Sequence, residues 1–352
     1  MSRTDRLVDL LRTRDLDSLL VTDLLNVRYL TGFTGTNGAC IVTPDERLFF
    51  TDFRYVEQAR AQVPEYEREE VGRDMLGELL GRLRGRAGFD DEHLSVAAYG
   101  KVSKKLPEGV ELVPAGGLVE ELRAVKDASE VAAMRGAAEL ATAAYESLRE
   151  RGLAGRTERE AALQLVRFME DSGAEDPSFA PIVAAGEHGA HPHAVPRDVE
   201  IPRDTLVVID MGAMVDGYCS DCTRTLATGS IDDEALEVYE LVLRAQVESL
   251  GAVRAGAACR DVDAVAREII DAAGHAEHFG HGLGHGVGLE VHEAPRLGKT
   301  AEGELVTDNA VTVEPGVYLP GRVGVRIEDL VIVTDGEPDI LTGFPKELVT
   351  VG

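Results

Sequence analysis

Residues 207–212 read VVIDMG and residues 216–225 read DGYCSDCTRT, and the fold of the second half of the chain depends on how these two segments pair. An Asp-Gly pair between two β-like runs predicts a hairpin with its turn at residues 216–217. In that register Asp221 lies opposite Gly212, and Asp210 lies on the same face, about 7–8 Å away. A carboxylate that ends a buried strand requires a partner. This segment alone leaves open whether that partner is a metal ion or an arginine, or whether both aspartates are simply exposed.

A second segment contains three of the nine histidines. Residues 279–293 read FGHGLGHGVGLEVHE, with His281, His285 and His292. The alternating glycines argue against a helix and distinguish this segment from a helical HExxH zinc motif. The apolar residues around the histidines argue against a solvated loop, so we expect these imidazoles to act in a site.

Two glutamates follow apolar strand-like runs further on. Glu314 lies in VEPGVY (313–318) and Glu328 in GVRIED (324–329), while His193 lies in HPHA (191–194), just before the Asp210 strand. Burying both glutamates beside Asp210 and Asp221 would be prohibitive without cations. Together with His285, they form a hard, oxygen-rich donor set that favours Mn²⁺, Co²⁺ or Fe²⁺ over structural zinc. Five protein ligands suit two ions about 3.5–4 Å apart.

The remaining pattern predicts an α/β (α+β) protein. The first third alternates helix-like and strand-like segments, with an amphipathic helix at residues 3–14 and strands at 18–22, 40–43 and 47–51. D-x-x-E and T-x-x-E capping boxes predict helices from residue 128 to 151 and from 157 to 172. From residue 206 short β runs alternate with two further helices. The β runs lie at residues 206–210, 218–226, 311–314 and 323–333, and the helices at residues 234–250 and 262–273.

These motifs closely resemble the pita-bread metallopeptidase family, which contains methionine aminopeptidase, prolidase, aminopeptidase P and creatinase. Five residues match the metal ligands of that family in order: Asp210, Asp221, His285, Glu314 and Glu328. YLTGF (29–33) and TDFRY (51–55) look like the creatinase-type N-terminal domain. The resemblance implies a creatinase-like domain with a mixed sheet at residues 1–122. It implies a pita-bread catalytic domain at residues 123–352, with a curved, mainly antiparallel sheet covered by helices.

The resemblance also implies a mechanism. Two divalent ions, with Mn²⁺ as the first choice and Co²⁺, Zn²⁺ or Fe²⁺ as alternatives, would lower the pKa of a bridging water that attacks the scissile carbonyl. Glu314 would carry the proton to the leaving nitrogen. His193 and His292 match positions that hydrogen-bond the substrate, and His281 matches a residue near the proline pocket. We expect Arg326 to orient Glu328 or Asp221, with an ordinary surface arginine as the alternative.

Several branches of the family remain open. The N-terminal domain argues against methionine aminopeptidase, and the intact ligands argue against creatinase. We favour a Xaa-Pro aminopeptidase, because TGFTGT (31–36) and TDFRY look more like two-domain bacterial members of that kind. A dipeptide-only prolidase is the alternative, decided by N-terminal loops such as residues 32–38 and Arg54. A catalytically inactive binding protein is a third hypothesis. The family implies a homodimer.

The amino-acid composition excludes some classes of binding partner. The 352 residues contain Lys+Arg 36 against Asp+Glu 63, a net charge of −27, so anionic membranes and nucleic acids would be repelled. Only six of the basic residues are lysine, which makes adaptation to high salt a further hypothesis. We detect no signal peptide or membrane span and expect a cytoplasmic protein. Cys219 and Cys222 form an isolated C-x-x-C, which we interpret as packing rather than zinc or redox chemistry.

Overall fold

The computed structural model describes residues 1–352 and divides into two compact units, Met1–Arg123 and Ala124–Gly352. None of its helices combines the length and the apolar composition that a membrane span requires. The expected α/β class is confirmed, since helices and strands alternate in both units.

The first unit contains a six-stranded mixed sheet in the order β4-β3-β2-β1-β5-β6. The neighbours β1/β2 and β2/β3 are antiparallel, and the other three pairs are parallel. Apolar side chains of these strands form one core cluster with those of two helices. Its elements are α1 (Arg3–Thr13), β1 (Ser18–Val21), α2 (Leu24–Thr31), β2 (Gly38–Val42), β3 (Arg47–Thr51), α3 (Val56–Gln62), β4 (Glu67–Glu70), α4 (Met75–Leu79), β5 (Arg86–Phe89), α5 (Val96–Ser103), β6 (Glu111–Pro114) and α6 (Leu118–Ala124).

The second unit has four small sheets in which every pair of strands is antiparallel, in agreement with the mainly antiparallel character that the family resemblance implied. Its helices are α7 (Ala128–Arg151), α8 (Glu158–Asp171), α9 (Asp233–Leu250) and α10 (Cys259–Ala272). Its strands are β7 (Asp176–Pro177), β8 (Ile182–Ala185), β9 (Leu206–Met211), β10 (Ala213–Val215), β11 (Tyr218–Cys219), β12 (Cys222–Ala227), β13 (Gly284–Gly286), β14 (Glu293–Leu297), β15 (Ala310–Val313), β16 (Gly316–Leu319), β17 (Val323–Arg326), β18 (Asp329–Ile332) and β19 (Asp339–Ile340).

Two apolar clusters attach the helices to these sheets. Residues of α7 and α8, such as Leu148 and Leu165, pack with Ile209 of β9. Residues of α9 and α10 pack with β15 and β17, for example Val242 with Val325. The predicted capping boxes are confirmed at the start of both α7 and α8, where Asp127 and Thr157 accept backbone N–H groups and a glutamate closes each box. These caps satisfy donors that the first helical turn leaves unpaired.

The predicted hairpin register is confirmed, but its strands are interrupted. Met211 pairs with Cys222 and Met214 with Cys219, so Asp221 and Gly212 lie opposite each other at a break between strands. A Cβ atom at Gly212 would lie 1.8 Å from the Ser220 carbonyl oxygen, so only glycine permits this close approach. The β run expected at residues 323–333 is interrupted in the same way, between β17 and β18.

Candidate active site

The breaks between strands carry three of the five residues expected to bind metal. Asp221 separates β11 from β12, Glu314 separates β15 from β16, and Glu328 separates β17 from β18. Asp210 lies near the end of β9, and His285 is the central residue of β13. At a strand end a side chain is released from the regular alternation of the sheet. Carboxylates from four separate segments can therefore point to one place.

His285 brings these segments together. Its Nε2 lies 3.2 Å from Oε1 of Glu314 and 3.7 Å from Oδ2 of Asp221. Its Nδ1 lies 3.0 Å from the Gly286 carbonyl oxygen, to which only a protonated Nδ1 can donate. That contact leaves Nε2 as the nitrogen that faces the carboxylates. Ligand atoms of Asp221, His285 and Glu328 all lie within 4.8 Å of one another.

Arg326 organises the opposite side of the site. Its Nη2 donates to Oδ2 of Asp210 at 2.7 Å, and its Nε donates to the Thr223 hydroxyl at 3.0 Å. That hydroxyl in turn donates to Oε2 of Glu328 at 2.7 Å. Arg326 is 4% exposed, so the surface-arginine alternative is wrong. The expected orientation of Glu328 by Arg326 is compatible with this chain of contacts through Thr223, and Arg326 also contacts Asp210, which was not expected.

The negative charges of these buried carboxylates are not fully balanced by positively charged side chains nearby. Burial, and then the negative charges of Glu328 and Asp210, hold the pKa of Asp221 well above its usual value. Burial and the charges of Glu314 and Asp210 do the same to the pKa of Glu328. Burial favours neutral His285, but the hydrogen bond to Glu314, the negative charges of Glu314 and Glu328 and the contact with the Gly286 carbonyl together outweigh it and raise the pKa of His285 to about 9. The site therefore attracts positive charge.

Asp210 gives the clearest indication of a missing partner. Its Oδ1 atom is buried and has no hydrogen-bond partner, whereas Oδ2 is held by Arg326. A buried carboxylate oxygen of this kind costs free energy unless a donor or a cation satisfies it. Four carboxylates and one imidazole are a donor set that fits divalent cations, so the residues present suit a metal centre.

A cavity of about 1020 Å³ opens on this cluster. His193, His281 and His292 all line it, as do Arg296 and Lys299. The ring centroid of His292 lies 4.3 Å from that of His285, and burial lowers the pKa of His292, so this imidazole is neutral near pH 7. All nine site residues named from the sequence, including Arg326, therefore line one cavity.

His281 differs from the other two histidines because both of its ring nitrogens are occupied. Nδ1 lies 2.8 Å from the Gly282 carbonyl oxygen, and Nε2 lies 2.9 Å from the Tyr318 hydroxyl. Phe279 meets the imidazole edge-on, with ring centroids 5.1 Å apart. This histidine therefore offers the cavity a ring face rather than a hydrogen bond.

Sequence reasoning missed Tyr318 and Thr223. The Tyr318 hydroxyl is within hydrogen-bond distance of both His281 and Arg326, and Thr223 connects Arg326 to Glu328. Thr223 lies two positions after Asp221 and so on the same face of the chain, a signal that was present in the sequence. Cys219 and Cys222 are both buried, and burial raises the pKa of the Cys222 thiol well above its usual value. A packing role fits both.

A second group of potential ligands lies in the first unit. Asp90, His93 and Glu120 bring ligand atoms within 4.8 Å of one another. The carboxylates there already accept hydrogen bonds from the Asn26 amide, at 3.4 Å from Asp90 and 2.6 Å from Glu120. This group therefore lacks the unsatisfied oxygen found at Asp210.

Family models match both units. The model for metallopeptidase family M24 matches residues 132–335, and the model for the creatinase/prolidase N-terminal domain matches residues 3–125. The family resemblance drawn from the motifs is thereby confirmed.

Individual relatives agree with these matches over the whole chain. The Xaa-Pro dipeptidase of Pyrococcus furiosus is 33% identical over 99% of both chains. The structure of a Xaa-Pro dipeptidase from Bacillus anthracis is 38% identical, covers 99% of both chains and superposes with a TM-score of 0.95. The structure of an X-Pro aminopeptidase from Thermotoga maritima is 33% identical, with a TM-score of 0.91, and covers 99% of this chain and 100% of its own.

Proposed function

The chain belongs to metallopeptidase family M24, and we propose that it acts as a Xaa-Pro dipeptidase, which hydrolyses dipeptides whose second residue is proline. The sequence analysis preferred a Xaa-Pro aminopeptidase and kept the dipeptidase as the alternative. The relatives favour the dipeptidase, because Xaa-Pro dipeptidases are found among both the sequence relatives and the solved structures. The catalytically inactive alternative loses its support, because the chain retains the complete donor set.

The proposed preference for dipeptides rests on one observation: two positively charged side chains without an acidic partner line the cavity. Arg296 and Lys299 line it, and both side chains are exposed and without an acidic partner in the chain. A dipeptide differs from a longer peptide in having its free carboxylate directly on the proline. In a chain of net charge −27, two cations beside a carboxylate-rich centre suit a substrate that is negative at that end.

We propose that Asp210, Asp221, His285, Glu314 and Glu328 hold two divalent cations. When bound, these ions supply an acidified water and polarise the scissile carbonyl. We propose Mn²⁺ as the metal because oxygen donors predominate. Metal analysis of the purified protein tests this assignment, and sedimentation tests the homodimer that the family resemblance implies.

Proton transfer falls to Glu314. Its Oε1 contacts Nε2 of His285 and the Thr312 hydroxyl, at 3.2 Å each. Burial raises the pKa of Glu314, but the hydrogen bond with His285 and the positive charges of His285, His281 and Arg326 together outweigh it and lower the net pKa. The carboxylate is therefore ionised and can accept a proton. It then delivers that proton to the proline nitrogen as this nitrogen leaves.

Three histidines position the substrate in this proposal. His193 and the neutral His292 donate hydrogen bonds to the peptide and to the oxyanion that develops at its carbonyl. His281 uses both nitrogens internally and therefore packs its ring against the proline ring. Apolar contact suits proline because its nitrogen, once in a peptide bond, has no N–H to donate.

The second candidate function is a Xaa-Pro aminopeptidase. The similarity to the Thermotoga maritima enzyme supports it, and so does the cavity volume of about 1020 Å³, which leaves room beyond a dipeptide.

Hydrolysis of Ala-Pro, Ala-Pro-Ala and a longer Xaa-Pro peptide after incubation with Mn²⁺ separates the two functions. We expect cleavage of Ala-Pro alone, and loss of that cleavage in Glu314→Ala. Comparable kcat/KM for the tripeptide would establish the aminopeptidase. No cleavage of any peptide with Mn²⁺, Co²⁺ or Zn²⁺ would exclude both proposals.

A further inference from the structure

Glu158 is a buried carboxylate to which the proposed mechanism gives no role. It is the first residue of α8, and its side chain is 1% exposed. Buried glutamates are rare unless their oxygens are fully hydrogen-bonded. The partners of this carboxylate therefore indicate why it is there.

These partners lie at the two ends of one loop, residues 186–197. At its start, the Ala185 backbone N–H donates to Oε1 at 3.0 Å, and Nδ1 of His188 lies 3.0 Å from both oxygens. At its end, Arg197 donates to Oε2 from its backbone nitrogen and from Nε, and to Oε1 from Nη2, each at 3.0 Å. One carboxylate thus closes the loop, and the two-pronged guanidinium contact fixes its direction as well as its distance.

His193 lies between these two ends. The preceding residue, Pro192, accepts a hydrogen bond at 3.1 Å from Arg326, the arginine that also holds Asp210. Earlier in the loop, Gly189 packs against Gly324, where a Cβ atom on Gly324 would lie 1.8 Å from the Gly189 carbonyl oxygen. The loop is therefore held at its ends by Glu158 and along its length by β17, so that His193 faces the cavity.

We propose that Glu158 is a positioning residue that fixes loop 186–197 and thereby places His193 for contact with the substrate. The proposal rests on the substrate-binding role given to His193 in the proposed function. Burial raises the pKa of Glu158, but the hydrogen bonds from Arg197 and Ala185 outweigh it and keep the carboxylate charged at neutral pH. Replacing Glu158 by glutamine keeps the shape of the side chain but exchanges one acceptor oxygen for an amide NH₂ group. This donor then faces the N–H donors of Arg197 or His188, so a hydrogen bond is lost.

Glu158→Gln tests this role, with Glu170→Gln as its matched control on the exposed face of the same helix. We expect kcat/KM for Ala-Pro to fall about tenfold in Glu158→Gln and to stay unchanged in the control. We also expect amide hydrogen exchange of residues 186–197 to accelerate in Glu158→Gln alone. Equal exchange and equal kcat/KM in the two variants would overturn the proposal.

A double-mutant cycle with His193→Ala separates positioning from general stabilisation. If Glu158 acts through His193, adding Glu158→Gln to His193→Ala lowers kcat/KM by less than about twofold. A second full tenfold loss would overturn the proposal, because it would show that Glu158 acts independently of His193.

Arg197→Gln provides a variant that folds even if Glu158→Gln does not, since the Arg197 side chain is 42% exposed. It removes the guanidinium contacts with Glu158 and keeps the contact from the Arg197 backbone N–H. We therefore expect a smaller acceleration of exchange in residues 186–197 and a smaller loss of kcat/KM than in Glu158→Gln. Unchanged exchange would overturn the proposal. If the wild-type protein hydrolyses no Xaa-Pro peptide, the proposed function fails, while hydrogen exchange still reports whether Glu158 holds the loop.

Discussion

Arg326 donates to one oxygen of Asp210 at 2.7 Å and leaves the other oxygen, Oδ1, buried without a partner. The guanidinium thus fixes the orientation of a carboxylate that lines the same cavity as Asp221, His285 and Glu328. The sequence left an arginine and a metal ion as alternative partners of Asp210. The structure supplies the arginine at Oδ2, and Oδ1 remains for the metal ion that we propose.

Replacing Arg326 by lysine tests this orientation. A single ammonium group cannot hold Asp210, Thr223 and Pro192 at the same time, as the guanidinium does. We expect Arg326→Lys to lower the metal affinity and the peptidase activity about 10–100-fold. Titration calorimetry with Mn²⁺ measures the first effect. Arg322→Lys, at an exposed position nearby, is the control and should behave as the wild type.

Removal of the metal should destabilise the second unit. Ions that bind only the folded chain contribute about 2.7 kcal/mol when present at 100 times their Kd. For a unit of this size we expect the Tm to fall by about 5–10 °C on dialysis against a chelator and to recover with Mn²⁺. Asp210→Asn, which keeps the shape but not the charge, should show a smaller recovery. Equal Tm values with and without chelator would contradict a metal centre.

Arg296 should recognise the carboxylate of the dipeptide. A charge-assisted hydrogen bond contributes about 1.5–3 kcal/mol, so Arg296→Gln should raise KM for Ala-Pro about 10–100-fold. KM for the amide of Ala-Pro, which lacks this carboxylate, should not change. The exposed Arg244→Gln on α9 serves as the matched control. A parallel loss for both substrates would show that Arg296 has another role.

Asp329 should control stability in acid. It pairs with Arg224 and with Lys346, each at 2.8 Å, and its side chain is 1% exposed. Burial raises its pKa, but the charges of Arg224 and Lys346 outweigh this effect and lower the pKa below its usual value. Removing one member of such a buried group costs about 3–5 kcal/mol, which is the loss we expect for Asp329→Asn at neutral pH.

The pH dependence of that loss has a definite sign. Because the folded-state pKa is lowered, the stabilisation is complete above the unfolded-state pKa of about 3.9 and is lost as the pH falls through the folded-state value. Urea unfolding should therefore show a constant difference in the free energy of unfolding between wild type and Asp329→Asn from pH 7 to pH 5. Below about pH 4 the free energies of the two proteins should converge. The exposed Asp271→Asn should follow the wild type throughout.

Salt should stabilise the protein. At a net charge of −27, carboxylates repel one another, and screening shortens from about 10 Å at 0.1 M salt to about 3 Å at 1 M. We expect Tm to rise between 0.1 and 2 M chloride, and to rise equally with sodium and potassium, since screening depends on ionic strength. A constant Tm would argue against the high-salt hypothesis.

Local rules predicted those parts of the structure that depend on neighbouring residues. The Asp216-Gly217 turn set the hairpin register, and the boxes at Asp127 and Thr157 set two helix starts. The interruptions at Asp221 and Glu328 were not predicted, because they arise where a strand changes partner: the Glu328 backbone N–H donates to the Thr223 carbonyl, far away in sequence. Sequence periodicity contains no information about such distant partners.

The same limit explains the site residues that were missed. Glu158 and Tyr318 contact residues that are distant in the chain. When only their neighbours are considered, neither differs from an ordinary glutamate in the first turn of a helix or an ordinary strand tyrosine. The metal-ligand candidates were easier to find because a carboxylate after an apolar run is unusual wherever it occurs.

The positions of the candidate ligands at separate strand breaks have a consequence for biosynthesis. Asp210 emerges from the ribosome long before Glu328, and Arg224 contacts the backbone of Glu328 and of Phe344 near the end of the chain. A nascent or truncated chain therefore contains only part of the donor set. The complete donor set can assemble only after Glu328 has been made and the segment around Phe344 has reached Arg224, so the proposed metal centre would be among the last parts of the protein to form.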